Sequence, residues 1–382
     1  MARDAFDGRK SLSCARTHDK VVTLHGPSWS WFDEQHLART DSYVDGKRQG
    51  PTARWFRNGV RRQTGQFSHD EPLGDWREFH PNGARAEEAH YEQGKLHGAR
   101  RRFFADGKQS LDASYDQGAP AGTWSAFYDA DSPRVALTVR FQHGREEEIA
   151  GFLPDGSAWP MDHAGTCGKE CEAALERIDL DAFPPVLAAP CSAGVTSTAP
   201  NQGAADPAGP VMKAARGAWS DGGLDNVNSF VPRGCIDRVK LSCAPDLDGA
   251  AGSELLAEIA YRVYEPDCAG ARRQGVSASH AIIVLSPPEP VSKAWHARGL
   301  LGYEGLDAPG VESGSYVRVD GFVRLPSGRA AIRIHETLDA GDCGGAVNDG
   351  IVLFENDDWV RVKTRTITEC NQPLVPDFSD PF

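Results

Sequence analysis

The chain of 382 residues has no apolar run near the roughly 18 residues that a membrane-spanning helix needs. Its start, Met1 to Lys10, lacks the apolar segment of a secretory signal. No glycine loop followed by Lys-Ser/Thr is present, and no HExxH, so neither a phosphate-cradling loop nor a helical zinc-hydrolase motif is written in. Paired CxxC clusters of a structural zinc site are missing as well. Basic surplus is absent: the net charge of −13 argues against a nucleic-acid partner and disfavours non-specific adhesion to anionic membranes. No cofactor is implied. Cysteine is nearly missing from the first half, where Cys14 stands alone.

Cysteine is plentiful after that. Cys167, Cys171, Cys191, Cys235, Cys243, Cys268, Cys343 and Cys370 form an even set, which reads as disulfides and hence an oxidising, extracytoplasmic compartment. This conflicts with the absent signal. Either the export signal is missing from the sequence as given, or the thiols stay reduced inside the cell. We expect the first.

What is present in the first half is a ladder of glycines. Gly26, Gly50, Gly74, Gly98 and Gly122 are each 24 residues apart. Trp31, Trp55, Phe79, Phe103 and Phe127 follow them in register, and Phe32, Phe56, His80, Phe104 and Tyr128 come next. Then come Asn58-Gly59, Asn82-Gly83 and Asp106-Gly107. Asn-Gly and Asp-Gly tolerate the positive φ of a two-residue hairpin turn, and the flanks are short and rich in β-formers. One hairpin per repeat, paired into a long antiparallel meander, is the expectation. The recurrent glycines exclude helix.

Neighbouring residues of a strand face opposite ways. One aromatic column, Trp55/Phe79/Phe103/Phe127 or Phe56/Phe104/Tyr128, should therefore line a core. The other should be partly exposed, or covered by another element, a second copy or arginine stems. Arg100 and Arg102 share a face and, with these aromatics, are candidate binding residues. Nearby acids make cross-strand charge pairing the default for them.

The pattern Tyr-x-x-Gly-Lys-x-x-Gly, then an aromatic pair and Asn-Gly, resembles the MORN repeat in its bacterial variant. The nearest unit is Tyr91 to Gly98 with Phe103, Phe104 and Asp106-Gly107. The resemblance covers residues 25–156 and implies an elongated antiparallel β-roll with no activity of its own. Such rolls serve as protein-binding, dimerising or lipid-contacting surfaces. The partner is then expected to be another protein or a membrane or envelope surface, and oligomers could form through the array.

Residues 1–24 read as irregular. In 157–218, Cys167, Cys171, Leu175 and Ile178 would share a helix face, followed by an Ala/Pro/Gly-rich linker. Residues 219–382 read as a disulfide-stapled β-rich domain, a sandwich or open roll, with strands near 235–243, 255–264, 281–285, 316–325, 331–334, 351–354 and 359–368. The stretch 255–264 also suits a helix. All-β is therefore the expected class.

Two short motifs carry chemistry. Gly341-Asp-Cys343-Gly-Gly resembles the nucleophile segment of chymotrypsin-like cysteine peptidases, whose glycines let backbone N–H groups form an oxyanion hole. His280, His296 and His335 are upstream, with His335 closest in the chain. A half-cystine in a Gly-rich turn explains Cys343 equally, and non-enzymatic binding is the preferred reading. Asp246, Asp248 and Glu254 resemble a decayed calcium turn, with Ala250 where a further carboxylate would stand. A solvated acidic turn is the plainer reading.

Overall fold

The computed structural model describes residues 5–6, 9–160, 168–186, 235–247, 254–262, 278–286, 296–302, 315–338, 346–355 and 358–367. Two compact units divide the chain, 1–160 with 166–184, and 161–165 with 185–382. Both are built mainly from antiparallel strands.

The first unit is a single meander. It runs through β1 (Ala5–Phe6), β2 (Arg9–His18), β3 (Val21–Trp31), β4 (Leu37–Val44), the interrupted strand β5 (Lys47–Arg48) and β6 (Gly50–Trp55), then β7 (Arg61–Ser68) and β8 (Glu71–Phe79). It continues through β9 (Arg85–Glu92), β10 (Lys95–Phe103), β11 (Gln109–Asp116), β12 (Ala119–Tyr128), β13 (Arg134–Gln142) and β14 (Arg145–Gly151). Each strand pairs with the next in the chain. The array thus starts earlier than the repeats suggested. Residues 9–18 and 21–24 are strand, paired within the β2–β3 hairpin, although they lack the repeat signature.

Two kinds of turn alternate, in the opposite places to those expected. Asn58-Gly59 is not a two-residue turn. Only Gly59 has positive φ (+80°), its N–H donates to Phe56 O at 2.9 Å, and Phe56 N–H donates to Val60 O at 2.8 Å. This is a type I turn closed by a left-handed glycine, with a strand bulge beside it. The two-residue turns with positive φ at both positions lie at the other edge, at Asp45-Gly46 (+49°, +85°), Gln93-Gly94 (+50°, +78°) and Gln117-Gly118 (+49°, +87°). His69-Asp70 forms the same turn without glycine; Asp and His are among the few side chains that tolerate this region.

Asp19-Lys20 and His143-Gly144 are two-residue turns of the same kind, and the four turns between them dock on the preceding hairpin. Gly46, Asp70, Gly94 and Gly118 donate their N–H groups to the carbonyls of Leu24, Arg48, Pro72 and Leu96, at 2.8 to 3.2 Å. At the opposite edge Asn58 Nδ2 donates to Pro81 O and Asn82 Nδ2 to Ala105 O, both at 2.8 Å. The same asparagines accept from Val60 and Ala84 N–H with their side-chain oxygens. Asparagine therefore recurs because one side chain shapes its own turn and ties it to the next.

The ladder glycines mark a second irregularity. At Gly74, Gly98 and Gly122 the strand carries two more residues than its partner, and φ is +69°, +76° and +64°. Across each lies an aromatic of the following strand: Tyr91, Tyr115 and Phe141. The bulges bend every repeat alike, which is how one glycine per repeat curves a sheet.

These cross-bulge aromatics, not the paired columns, form the core. Trp76 stands edge-on to Phe67 (5.0 Å) and Tyr91 (5.9 Å), and Trp124 lies against Tyr115 (4.9 Å) and Phe141 (5.2 Å). The array end is closed by α1 (Gly168–Leu175) and a single 3-10 turn at Leu180–Ala182, with Ala174, Ile178, Leu180, Ala182 and Phe183 buried. Residues 168–184 are thus part of the folded unit, with the expected helix at Gly168–Leu175. Ile178 reaches Tyr128 through a β-bridge, not on a continued helix. The expected Ala/Pro/Gly-rich linker, 188–217, lies outside the described residues.

The second unit holds two four-stranded sheets. One orders β15 (Cys235–Cys243), β16 (Leu255–Arg262), β17 (Ala278–Ser286) and β18 (His296–Gly302). The other orders β19 (Ser315–Arg324), β20 (Ala330–Leu338), β21 (Ala346–Glu355) and β22 (Asp358–Ile367). Leu256, Ile282 and Val284 from the first share a core with Val317, Ile332, Ile334 and Val352 from the second. The strand alternative at 255–264 is correct; β18 escaped the sequence reading because His-Ala-Arg-Gly-Leu-Leu-Gly carries two glycines. Cys171 and Cys243 each belong to a disulfide, and Cys14 is a free thiol. The side chains of Cys167, Cys191, Cys235, Cys268, Cys343 and Cys370, and with them the connectivity, lie outside the described residues.

Two glycines separate backbone strain from packing. A Cβ on Gly59 would meet nothing within 4 Å, so Gly59→Ala should cost only the left-handed penalty, about 1–2 kcal/mol. A Cβ on Gly65 would stand 2.3 Å from the Trp76 ring, which is 4% exposed and held by its neighbours. Gly65→Ala should therefore cost at least the ~1–3 kcal/mol of overpacking and more than Gly59→Ala. Urea melts of the two variants check this; the reverse order would contradict the packing.

Candidate functional sites: an aromatic edge, a half-buried ion cluster and an Asp–His pair

The candidate aromatics form an edge rather than a core. Trp55, Phe56, Phe79, Phe103, Phe104 and Phe127 are all half-buried. They cluster where the type I turns are, because each column flanks the bulge that closes its turn. The expectation that one column lines a core fails, since the cross-bulge aromatics already fill it. Arginines lie over part of the edge: Arg57 over Phe32 at 5.1 Å, Arg62 over Phe56 and Arg85 over Phe103 at 5.8 Å. Tyr128 differs. It is 1% exposed, donates to Phe152 O at 2.8 Å and sits under Arg177.

Arg100 and Arg102 are half-buried and held by carboxylates of the same unit. Arg100 makes a two-pronged bond to Glu87, with both contacts at 2.9 Å. Arg102 also pairs with Glu87, and reaches Asp179 at 3.1 Å and Asp181 at 2.7 Å. Asp179 accepts from Ser110 Oγ as well (3.0 Å). Burial opposes both guanidinium charges, but Glu87 for Arg100, and Asp181, Asp179 and Glu87 for Arg102, outweigh it and hold the pKa values above the ordinary arginine range. Burial likewise works against the Glu87 carboxylate, and the two arginines overcome it, leaving its pKa depressed.

Glu78 is the odd member. It is desolvated beside Glu87, and its Gln63 hydrogen bond (2.8 Å) does not compensate, so its pKa is raised. The cluster ties the segment after α1 onto β10. Cross-strand pairing was the sequence default for Arg100 and Arg102. The distant partners Asp179 and Asp181 were not legible, because 77 and 79 residues of chain separate them from Arg102.

In the second unit His335 lies opposite Asp349 across β20 and β21. Its Nδ1 is 2.8 Å from Asp349 Oδ1, and Arg365 donates to Asp349 Oδ2 at 2.6 Å. Burial would raise the Asp349 pKa; the hydrogen bonds from His335 and Arg365 prevail and lower it. An ionised carboxylate only accepts, so Nδ1 carries the proton and Nε2 is the acceptor of the neutral ring. That is the orientation a general base needs. Asp349 was missed, though it and His335 are equidistant in sequence from Asp342, as a hairpin pair must be.

Asp320, His335 and Asp349 offer ligand atoms within 4.8 Å of one another, the grouping among the described residues that could hold a metal ion. Arg365 on Asp349 competes with any cation there. Of the calcium-turn residues, Glu254 and Asp246 are among the described ones. Glu254 is 2% exposed and accepts from Leu247 N–H at 3.1 Å, while Asp246 is exposed. Asp248 and Cys343 lie outside the described residues, as does the side chain of His280.

No protein-family model matches the chain, and no curated protein matches it.

The ion cluster predicts opposite pH behaviour for two neighbouring glutamates. Glu87 has a depressed pKa, so its stabilisation is full at neutral pH and is lost as pH falls through its folded pKa. Glu78 has a raised pKa, so folding takes up a proton and stability improves as pH falls toward its folded pKa. At pH 7, Glu87→Gln should destabilise by about 2 kcal/mol, because half-buried Arg100 loses its carboxylate and Arg102 loses one of its three. Glu78→Gln should leave stability equal or higher. Denaturant melts from pH 7 to pH 4 test both; equal losses from the two variants would contradict the assignment.

Proposed function

We propose that the protein is a non-enzymatic binding scaffold. Its first unit is a MORN-like β-array that presents the half-buried aromatic edge to another protein. The observation that carries this reading is the division of labour among aromatics. Phe67, Trp76, Tyr91, Trp124 and Phe141 are buried and fill the core, so Trp55, Phe56, Phe79, Phe103, Phe104 and Phe127 are not consumed by it. Half-exposed aromatics beside arginine have the composition of interface hot spots. On this reading the protein works in an oxidising, extracytoplasmic setting, and the second unit is stapled by disulfides.

A second reading is favoured by one geometry. His335 oriented by Asp349 is the base half of a cysteine-peptidase site, with Cys343 the candidate nucleophile in the connection between β20 and β21. Scaffold and peptidase differ in thiol chemistry. A peptidase thiol is reduced and accessible with a depressed pKa; a half-cystine is not alkylated at all.

Photo-crosslinking from the aromatic edge tests the scaffold. A benzophenone side chain at Phe56 or Phe104 should trap discrete protein partners in the native setting, while one at the core position Phe67 should not. Crosslinks from Phe67 alone, or flotation of the protein with anionic vesicles without protein crosslinks, would overturn the protein-binding assignment. Rapid iodoacetamide labelling of Cys343 in the folded protein, abolished in His335→Ala, would turn the choice to the peptidase.

A further inference from the structure

We propose that the segment received at the aromatic edge is an acidic peptide stretch of the partner, with Arg61 and Arg62 taking its carboxylates and Trp55 and Phe56 its apolar side chains. The inference rests on the scaffold reading and names the chemistry of the partner at that site.

The site is one hairpin. β6 ends at Trp55 and β7 begins at Arg61. Phe56 N–H on Val60 O and Gly59 N–H on Phe56 O close the turn between them. These bonds fix where the four side chains leave the backbone. Trp55 is the ladder partner of Arg61, and Arg62 lies over the Phe56 ring at 5.8 Å. Each arginine is thus matched to one aromatic.

Four other exposed arginines of the array find a carboxylate. Arg77 and Arg85 reach Glu88 at 3.8 and 2.8 Å, Arg101 reaches Asp112 at 3.4 Å and Arg140 reaches Glu148 at 3.1 Å. Arg61 and Arg62 are exposed and make no ion pair with any described residue. Glu78 feels Arg62, but less than it feels burial, Glu87, Arg102 and its bond to Gln63. The matching turns differ in charge. Residues 55–62 hold three arginines and no carboxylate, whereas 31–38 hold two acids and no arginine or lysine. Residues 103–110 hold Asp106 and Lys108, which pair at 2.6 Å, and 127–134 hold two aspartates and one arginine. The positive surplus of the edge is therefore greatest at the Phe56 turn.

A guanidinium bonds a carboxylate through two parallel donors, as Arg100 bonds Glu87 in this array. The size of the patch selects the partner. A membrane or a nucleic acid spreads its negative charge widely and meets the net −13 of the chain. A single peptide segment meets the charges within a Debye length, about 8 Å at physiological salt, and at this hairpin those include two unanswered cations. Repulsion from acid-rich surface elsewhere leaves such a segment few other places to land.

Fluorescence anisotropy of labelled peptides on the full chain tests the proposal. The probe is a short peptide alternating Glu and Phe, compared with the same peptide carrying Lys for Glu. The Glu/Phe probe should bind, weaken as salt rises, and lose about tenfold or more in affinity in Arg61→Gln/Arg62→Gln. Arg145→Glu, at an exposed position far along the array, lowers the net charge by the same amount and should leave binding unchanged. Equal or tighter binding of the Lys probe to the wild type would overturn the proposal, and needs no variant to fold. So would an equal loss in Arg145→Glu, which would show an effect of net charge alone. Flotation with phosphatidylserine vesicles, lost in Arg61→Gln/Arg62→Gln while neither peptide binds, would give the arginines to a lipid surface instead. Photo-crosslinks from Phe56 separate this inference from the reading beneath it. Protein crosslinks unchanged by Arg61→Gln/Arg62→Gln would leave the scaffold standing and refute the acidic segment. Crosslinks absent from every edge position would refute both.

Discussion

The first unit depends on one backbone hydrogen bond made again and again. In four successive two-residue turns the second residue gives its N–H to a carbonyl of the hairpin before it, from Gly46 to Leu24 through to Gly118 and Leu96. Ordinary hairpin tips leave such groups to water. Here they join neighbouring hairpins at the edge, where strand pairing has ended. The positive φ of these turns is the condition for the bond, which explains why glycine stands at three of the four positions. Asn58 and Asn82 do the same work at the opposite edge with side chains. Between the two edges, the bulges at the ladder glycines turn the sheet and bring the cross-bulge aromatics together.

The interior is not uniformly apolar. Arg100, Arg102, Glu87, Asp179 and Asp181 form a cluster that a hydrophobic core of equal volume could replace without loss of stability. Its consequence is positional. Apolar side chains would let the segment after α1 slide, whereas Arg102 holds Asp179 and Asp181 at fixed points on β10. The array is thus finished on its face by a charge-matched segment.

Much of the array was legible in the sequence, since a 24-residue register leaves few alternatives to stacked hairpins. The turn types were not. Asn-Gly suits both a two-residue turn and a type I turn with a left-handed glycine, and the choice is made by Asn58 bonding to the next repeat, a contact no local pattern records. The core was misassigned for a related reason. Alternation counts from an unbroken strand, and the bulges at Gly74, Gly98 and Gly122 shift the count within each repeat. Trp76 and Trp124, one per second repeat, escaped the column analysis because Arg100 occupies the position between them. In the second unit the strands were found where β-formers alternate and missed where glycine interrupts. The Asp349 partner of His335 needed the pairing register.

Native-state hydrogen exchange tests the stack most directly. The amides of Gly46, Asp70, Gly94 and Gly118 sit at turn tips, where exchange is ordinarily fast. If each is bonded to the hairpin before it, these amides are protected to the same degree as the flanking strand amides and lose protection together with them as denaturant is added. Fast exchange at the four positions, with the strands still protected, would show that the turns are free and that the hairpins are joined by their strands alone.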